Sequence, residues 1–356
     1  MTIPEKMTAL VLKQYNDYSI EKVDVPEPGY QEALCRVKSV AICGTDPGLI
    51  AGKFAGIWPR EFPFIPGHEW AGEIVALGEN TQEFGWKIGE RVAGTSHVGC
   101  GICRMCTTGR YNLCDYYGNK KVHRHYGHYS QGAYAEYQAA HIKTLHRLPE
   151  SLSFDQGAMV DGTSIALHSA KRGKICPGDT VVIFGPGPMG LQVYMCAEAL
   201  GAGRIIVIGR GDRLLKAKEL GAEIVDIEKG DPVKEVLELT NGRGAEVIVE
   251  CSGAHDVAAQ AIQVARKNAN IVFAGLPKQN VEIPMLKLIL EEMNLFGVRA
   301  NQSTCEEIIP LMVKGKVQPE KIITHHFPLT EFPKALETFV KRLDRALKVV
   351  LHPDLN

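Results

Sequence analysis

The chain has 356 residues, 45% hydrophobic and 23% charged, too long for one typical core and composed like an ordinary two-domain globular protein. Forty basic residues against 41 acidic ones leave a net charge of −1, which argues against the basic surface that a nucleic-acid or polyanion partner needs. Met1–Lys13 lacks the charged start and apolar core of a signal peptide. The longest apolar stretch, Thr180–Ala202, is broken by Gly185, Pro186, Gly187, Pro188 and Gly190. A cytoplasmic protein with no membrane partner is therefore expected.

In chain order, the first 150 residues read as short β-type runs between Gly and Pro turns, among them Ala33–Val40, Gly72–Leu77, Arg91–Ala93 and Ala133–Gln138. From about Pro177 apolar strands alternate with helical segments: Thr180–Phe184 then a helix from Gly187, Arg204–Ile208 then a helix from Asp212, Val247–Cys251 then a helix from His255, and Ile271–Ala274. This alternation predicts βαβ units in a doubly wound parallel sheet, an α/β fold. Two further helical stretches, near Thr304–Lys314 and Thr330–Lys341, precede a last apolar run, Ala346–Leu351. The periodicity leaves open whether that tail returns to the first domain.

Thr180–Phe184 runs directly into Gly185-Pro186-Gly187-Pro188-Met189-Gly190. A GxGxxG turn between a strand and a helix brings a pyrophosphate close to unpaired N–H groups at the helix start. The end of the second strand selects the dinucleotide. An acid there would bind the ribose hydroxyl of NAD, whereas this chain has Gly209-Arg210 followed by Asp212 and Arg213. A small residue followed by arginine makes room and charge for a 2′-phosphate, so NADP is expected over NAD, with Asp212 left as an alternative ribose ligand.

Four of the ten cysteines, Cys100, Cys103, Cys106 and Cys114, fall within fifteen residues. In a reducing compartment such clustering points to metal. Four thiolates make a closed, structural zinc site, and an iron–sulfur cluster is the rival for such spacing. A second set is more dispersed: Cys43-Gly44-Thr45-Asp46 and Gly67-His68-Glu69.

With these motifs in this order, the chain resembles the medium-chain, zinc-dependent alcohol dehydrogenase superfamily, in its sorbitol, threonine and butanediol dehydrogenase branch. The resemblance covers nearly the whole chain. It implies a mostly-β GroES-like catalytic domain over 1–155 and 300–356, and a Rossmann domain over 156–299. It implies a catalytic zinc on Cys43 and His68, with Asp161 as candidate third ligand and Glu69 able to replace solvent on the metal. Asp46 would orient the histidine. Zinc would act as a Lewis acid on an alcohol oxygen while hydride passes to the nicotinamide. The proton would leave by the Thr45 hydroxyl, but the histidine usual a few residues later is here Gly48. The stretch Tyr116–Tyr129, with His123, His125 and His128, is a possible substitute, though a solvated loop is expected.

The resemblance further implies that Cys251, Ser252, Ala274, Gly275 and Leu276 line the nicotinamide. Val298 and Arg299 would lie at the same end, and Lys348 would meet the pyrophosphate. Trp58, Arg60 and Glu61 fall on an expected pocket wall, with Trp58 packed inward as the alternative. The expected substrate is a polyol or sugar alcohol, then a threonine-type amino alcohol, then a simple secondary alcohol. A non-catalytic dinucleotide-binding protein would have lost the ligand residues, and a zinc-free quinone reductase would lack both motifs. Dimers or tetramers are expected, with Val281–Leu290 and Asn294–Gly297 suited to an edge-to-edge contact.

Overall fold

A computed structural model describes residues 2–354; Met1, Leu355 and Asn356, at the ends of the expected ranges, lie outside the described residues. The chain divides into two compact units. One comprises the described parts of Met1–Asp161, Cys305–Val313 and Glu320–Asn356, the other Gly162–Thr304 and Lys314–Pro319.

The first unit opens with β1 (Lys6–Gln14) and β2 (Asp17–Asp24), an antiparallel ribbon. Successive β1 residues serve opposite faces, as strand geometry requires. Met7, Ala9 and Val11 enter a small cluster with Leu34 and Ala135, while Leu10 and Leu12 enter the main core around Trp70, Ile74 and Phe332. There follow β3 (Glu32–Ala41), β4 (Glu69–Leu77), β5 (Arg91–Gly94), β6 (His97–Val98), β7 (Arg124–His125), β8 (Tyr137–His141) and β9 (Leu145–Arg147).

The second unit supplies β10 (Thr180–Phe184), β11 (Arg204–Gly209), β12 (Glu223–Asp226), β13 (Ala245–Glu250), β14 (Ala265–Phe273) and β15 (Asn294–Gly297). All pair in parallel, in the order β12-β11-β10-β13-β14-β15. Their continuous Val and Ile runs fit a sheet covered on both faces. The order reverses between β10 and β13, the position at which doubly wound sheets bind dinucleotides.

The chain then returns to the first unit with β16 (Ile323–Pro328) and β17 (Lys348–His352). The tail whose destination periodicity left open completes a seven-stranded sheet, β16-β17-β3-β4-β5-β9 with β8 also on β3. β17 lies beside β3, with Val350 opposite Ala41, and β4 flanks β3 on the other side, with Glu69 opposite Ala41. This pairing carries the start of β17, the end of β3 and the start of β4 to one end of the sheet. No helix among the described residues is long and apolar enough to cross a membrane.

Candidate active site

At that end of the sheet, β3 runs out at Ala41 and the chain turns through Cys43 into a short helix, Asp46–Ile50. Ile42 remains hydrogen-bonded to Val349 of β17 (2.9 Å). His68 and Glu69 stand at the first residues of β4. Gly67, before them, has φ +92°, and a Cβ there would lie 2.9 Å from the Tyr134 backbone nitrogen, so only glycine allows this close turn. The donor atoms of Cys43, His68 and Glu69 all lie within 4.8 Å of one another.

Second interactions aim this set. Asp46 Oδ2 accepts from the Cys43 backbone N–H (2.8 Å) and from the Tyr134 hydroxyl (2.5 Å), while Oδ1 faces His68 Nδ1 at 3.7 Å. The carboxylate thus lies on the Nδ1 side of the imidazole, the side opposite the nitrogen that a metal would take. Burial works to lower the His68 pKa, but the Cys43, Asp46 and Glu69 charges outweigh it and raise it to about 10. Thr45 Oγ1, Asp46 Oδ1 and His68 Nδ1 are buried without hydrogen-bond partners. Convergent negative charge with unsatisfied polar atoms fits a divalent cation, and a soft S, N, O donor set fits zinc.

Asp161 is buried at the start of the helix Val160–Arg172 and is not part of the close set. Lys348, expected at a pyrophosphate, is buried and donates its Nζ to Glu69. Nothing in the local sequence flagged that contact, which joins residues 279 positions apart.

The expectation of a solvated loop over Tyr116–Tyr129 is corrected. His123, His125 and His128 are buried there, as is His97 from β6. Gly127 and Gly132 close onto the Gly67 carbonyl, where a Cβ at either would lie 2.3 Å from the oxygen. This folds the loop against His68: His128 lies 4.5 Å from it between ring centroids and stacks on His125 at 3.6 Å, and His125 lies 3.8 Å from His97. Trp58 packs 4.7 Å from His128 and donates Nε1 to the Tyr117 hydroxyl (2.7 Å), which also contacts His125 Nδ1 (2.7 Å). Arg60 is taken up by the Gly118 carbonyl and the Tyr129 ring, and Glu61 by Lys120. Gly48 backs onto Phe54, whose ring lies 3.0 Å from where a Cβ would be, so a side chain at that position would have to shift the ring.

The cysteine lobe is compact. Cys100 and Cys106 Sγ are 3.9 Å apart, as are those of Cys103 and Cys114, and all four sulfurs lie within 4.8 Å of one another. Zinc–sulfur bonds of about 2.3 Å place tetrahedral sulfurs about 3.8 Å apart. A disulfide would need about 2.05 Å, and a multi-iron cluster spreads its thiolates over several metals and hence wider. The backbone N–H groups of Cys100, Cys103 and Cys106 point at lobe sulfurs at 3.3 to 3.4 Å. Burial raises the Cys100 thiol, but N–H donors from Ile102 and Cys103 outweigh it and bring it down to about 7, while burial pushes Cys106 up to about 12 and raises Cys114.

In the second unit, Gly185 ends β10 with φ +95° and Gly187 caps the helix Pro188–Ala199, with Pro188 in its first turn and Met189 following. A Cβ on Gly190 would lie 2.0 Å from the Gly185 carbonyl oxygen, whereas at Gly187 the nearest atom, on Arg213, is 3.7 Å away. The turn is thus tight within and open outward, a cradle for a pyrophosphate at a helix start. Gly209 ends β11 and packs on Pro186, which a Cβ would approach to 2.2 Å. Arg210 is 65% exposed and lies 3.8 Å from Glu228.

Glu250, unremarked in the sequence, organises the loops after β13 and β14. Its Oε1 accepts from Ser252 N (2.6 Å), Ser252 Oγ (2.5 Å) and Gly253 N (2.9 Å), and its backbone carbonyl accepts from Ala274 and Gly275. A lone acid ending an apolar strand was the available signal. Cys251 is tied to Phe184 and Val298 to Phe273 by backbone bonds of 2.9 and 3.0 Å. Leu276 is 64% exposed, and Arg299 follows Val298 just beyond β15.

Residues 29–150 match the alcohol dehydrogenase GroES-like domain family, and residues 188–314 the zinc-binding dehydrogenase family. The sorbitol dehydrogenase of Bacillus subtilis is 34% identical over 99% of this chain and 99% of its own length. The chain belongs to the zinc-dependent, medium-chain alcohol dehydrogenase family. The erythritol/L-threitol dehydrogenase of Mycolicibacterium smegmatis is 33% identical, again over 99% of both chains. A zinc-binding dehydrogenase of Sinorhizobium meliloti, solved bound to NADP, has a TM-score of 0.89 at 27% identity, covering 98% of this chain and 100% of that one. The protein is thus a zinc-type, NAD(P)-linked alcohol dehydrogenase with a GroES-like domain and a Rossmann-type sheet.

Proposed function

We propose that this dehydrogenase interconverts a secondary alcohol and its ketone, with a polyol or sugar alcohol as the natural substrate class. The observation that carries this reading is the wall beside His68. Imidazole and phenol groups of His128, His125 and Tyr117 stand there, a more polar wall than the aliphatic one that would suit a simple alcohol. The polyols named for the two curated relatives agree with it.

Two zinc ions per chain complete the proposal. Cys100, Cys103, Cys106 and Cys114 hold one. Cys43, His68 and Glu69 hold the other, with Asp161 as a further ligand candidate. Zinc bound there supplies Lewis acidity toward an alcohol oxygen. The buried Thr45 hydroxyl, without another partner, accepts the alcohol proton in a hydrogen bond, and Asp46 holds His68 in orientation. Lys348 pairs with the Glu69 carboxylate.

NADP is favoured over NAD, on the positive charge of Arg210 and Arg213 beside Gly187 and Gly209 and on the absence of an acid ending β11. Cys251, Ser252, Ala274, Gly275, Leu276, Val298 and Arg299 are assigned to the nicotinamide end. The chain is proposed to form a homodimer or homotetramer through β15, an edge strand, and the helix Met285–Leu290, which leaves Leu286 71% and Leu290 72% exposed. Its ten cysteines, all free of disulfides, suit the cytoplasm.

The test is turnover of polyols, threonine and simple secondary alcohols with each dinucleotide. The highest kcat/KM is expected for a polyol with NADP. A preference for threonine or for a cyclohexanol-type substrate overturns the polyol reading, and no turnover of any alcohol overturns catalysis itself.

A further inference from the structure

A third convergence of ligand atoms lies away from both sets above. Asp155, in the first turn of the helix Phe154–Ala158, faces His326 of β16 and His352 at the end of β17. His326 Nδ1 and His352 Nε2 are 3.2 Å apart, His326 Nδ1 is 3.5 Å from Asp155 Oδ2, and His352 Nε2 is 3.6 Å from Asp155 Oδ1. With zinc–ligand bonds of about 2.0 to 2.1 Å, the edge of a tetrahedron is about 3.3 Å. The two nitrogens are thus spaced as one edge of such a tetrahedron, and the carboxylate offers each of them a different oxygen at a separation a few tenths of an ångström longer. As hydrogen bonds, the two longer edges would be poor.

Two of the three groups are also aimed from behind. His352 Nδ1 lies 3.1 Å from the Lys38 carbonyl oxygen; a neutral imidazole carries its proton there and presents its lone pair at Nε2. Ser39 Oγ donates to Asp155 Oδ1 at 2.6 Å, and Lys38 Nζ bonds Asp354 at 3.0 Å, tying down the chain just past His352. Such outer partners fix the tautomer and orientation of metal ligands. The side chains of Asp155, His326 and His352 are 26%, 51% and 18% exposed, which leaves the fourth position to solvent.

We propose that Asp155, His326 and His352 form a third, open metal site that takes a borderline divalent cation, Zn2+ in the first instance. The site joins a helix before the dinucleotide-binding unit to two strands formed after it. A cation bound only by the folded arrangement stabilises the first unit and the C-terminal strand.

The test is equilibrium dialysis of the purified, desalted enzyme against micromolar Zn2+, with metal per chain compared before and after. It is run on the wild type, on Asp155→Asn and on the double variant His326→Gln/His352→Gln. Alcohol turnover of the desalted proteins, expected to be unchanged, reports that the variants fold. The expected result is uptake of one further zinc by the wild type, with a rise in Tm, and binding weaker by about tenfold or more in both variants. No uptake above the purified content, or equal uptake by the variants, overturns the proposal; neither outcome bears on the catalytic reading.

Discussion

The ammonium of Lys348 donates to the carboxylate of Glu69, and the two side chains are only 4% and 5% exposed. Burial works to lower the Lys348 pKa, yet Glu69, Cys43 and Asp46 outweigh it and raise it. Lys348 is thus held charged at the sheet end where Cys43, His68 and Glu69 converge. Lys348→Met leaves a buried carboxylate unpaired, which costs about 3–5 kcal/mol when nothing replaces the partner. Urea unfolding of the zinc-free protein should show a loss of that order. The loss should be smaller with zinc bound, because the ion takes over as counter-charge.

Arg210 is mostly exposed, with Glu228 as a loose partner at 3.8 Å, so its charge is available to a 2′-phosphate. Arg210→Ala should lower kcat/KM for NADP by about tenfold, the value of one charge-assisted contact, and leave that for NAD nearly unchanged. Equal losses with both dinucleotides would mean that Arg210 supports the loop instead of reading the phosphate.

His141 makes stability depend on pH. Burial, then Lys143 and Arg124, lower its pKa to about 4, while its Nδ1 accepts the Lys143 backbone N–H at 3.2 Å. Below the unfolded value of about 6.5 the unfolded chain binds a proton that the folded one refuses. Its contribution is therefore present above about pH 6.5 and is lost as pH falls toward 4. Chemical denaturation across that range should show wild-type stability declining, with a shallower slope in His141→Asn, which keeps an acceptor without the titration.

Much of the site is legible in the chain because it is local. The glycine turn at 185–190 and the cysteine lobe at 100–114 are each one short segment whose spacing is itself the geometry. The Cys43 and His68 segments are legible only as a pair, since what joins them is the β3–β4 register. Lys348 could not be placed on Glu69 from sequence, because that contact depends on β17 lying beside β3. The imidazole stack lies in a segment that Lys120 and Lys121 make look like a solvated loop. Gly127 and Gly132, which let it close on Gly67, look like ordinary turn residues. Gly48, at the position where the relay histidine is expected, packs against Phe54, six residues later, and a one-dimensional motif does not encode that contact.

Zinc at Cys43, His68 and Glu69 performs the proposed chemistry. Metal content per chain and alcohol turnover should be measured together for the wild type and Cys43→Ser. Two zincs with turnover in the wild type, and one zinc without turnover in the variant, are the predicted results. Full zinc content and turnover in Cys43→Ser, or turnover in a wild type stripped of all but the cysteine-lobe zinc, would contradict it.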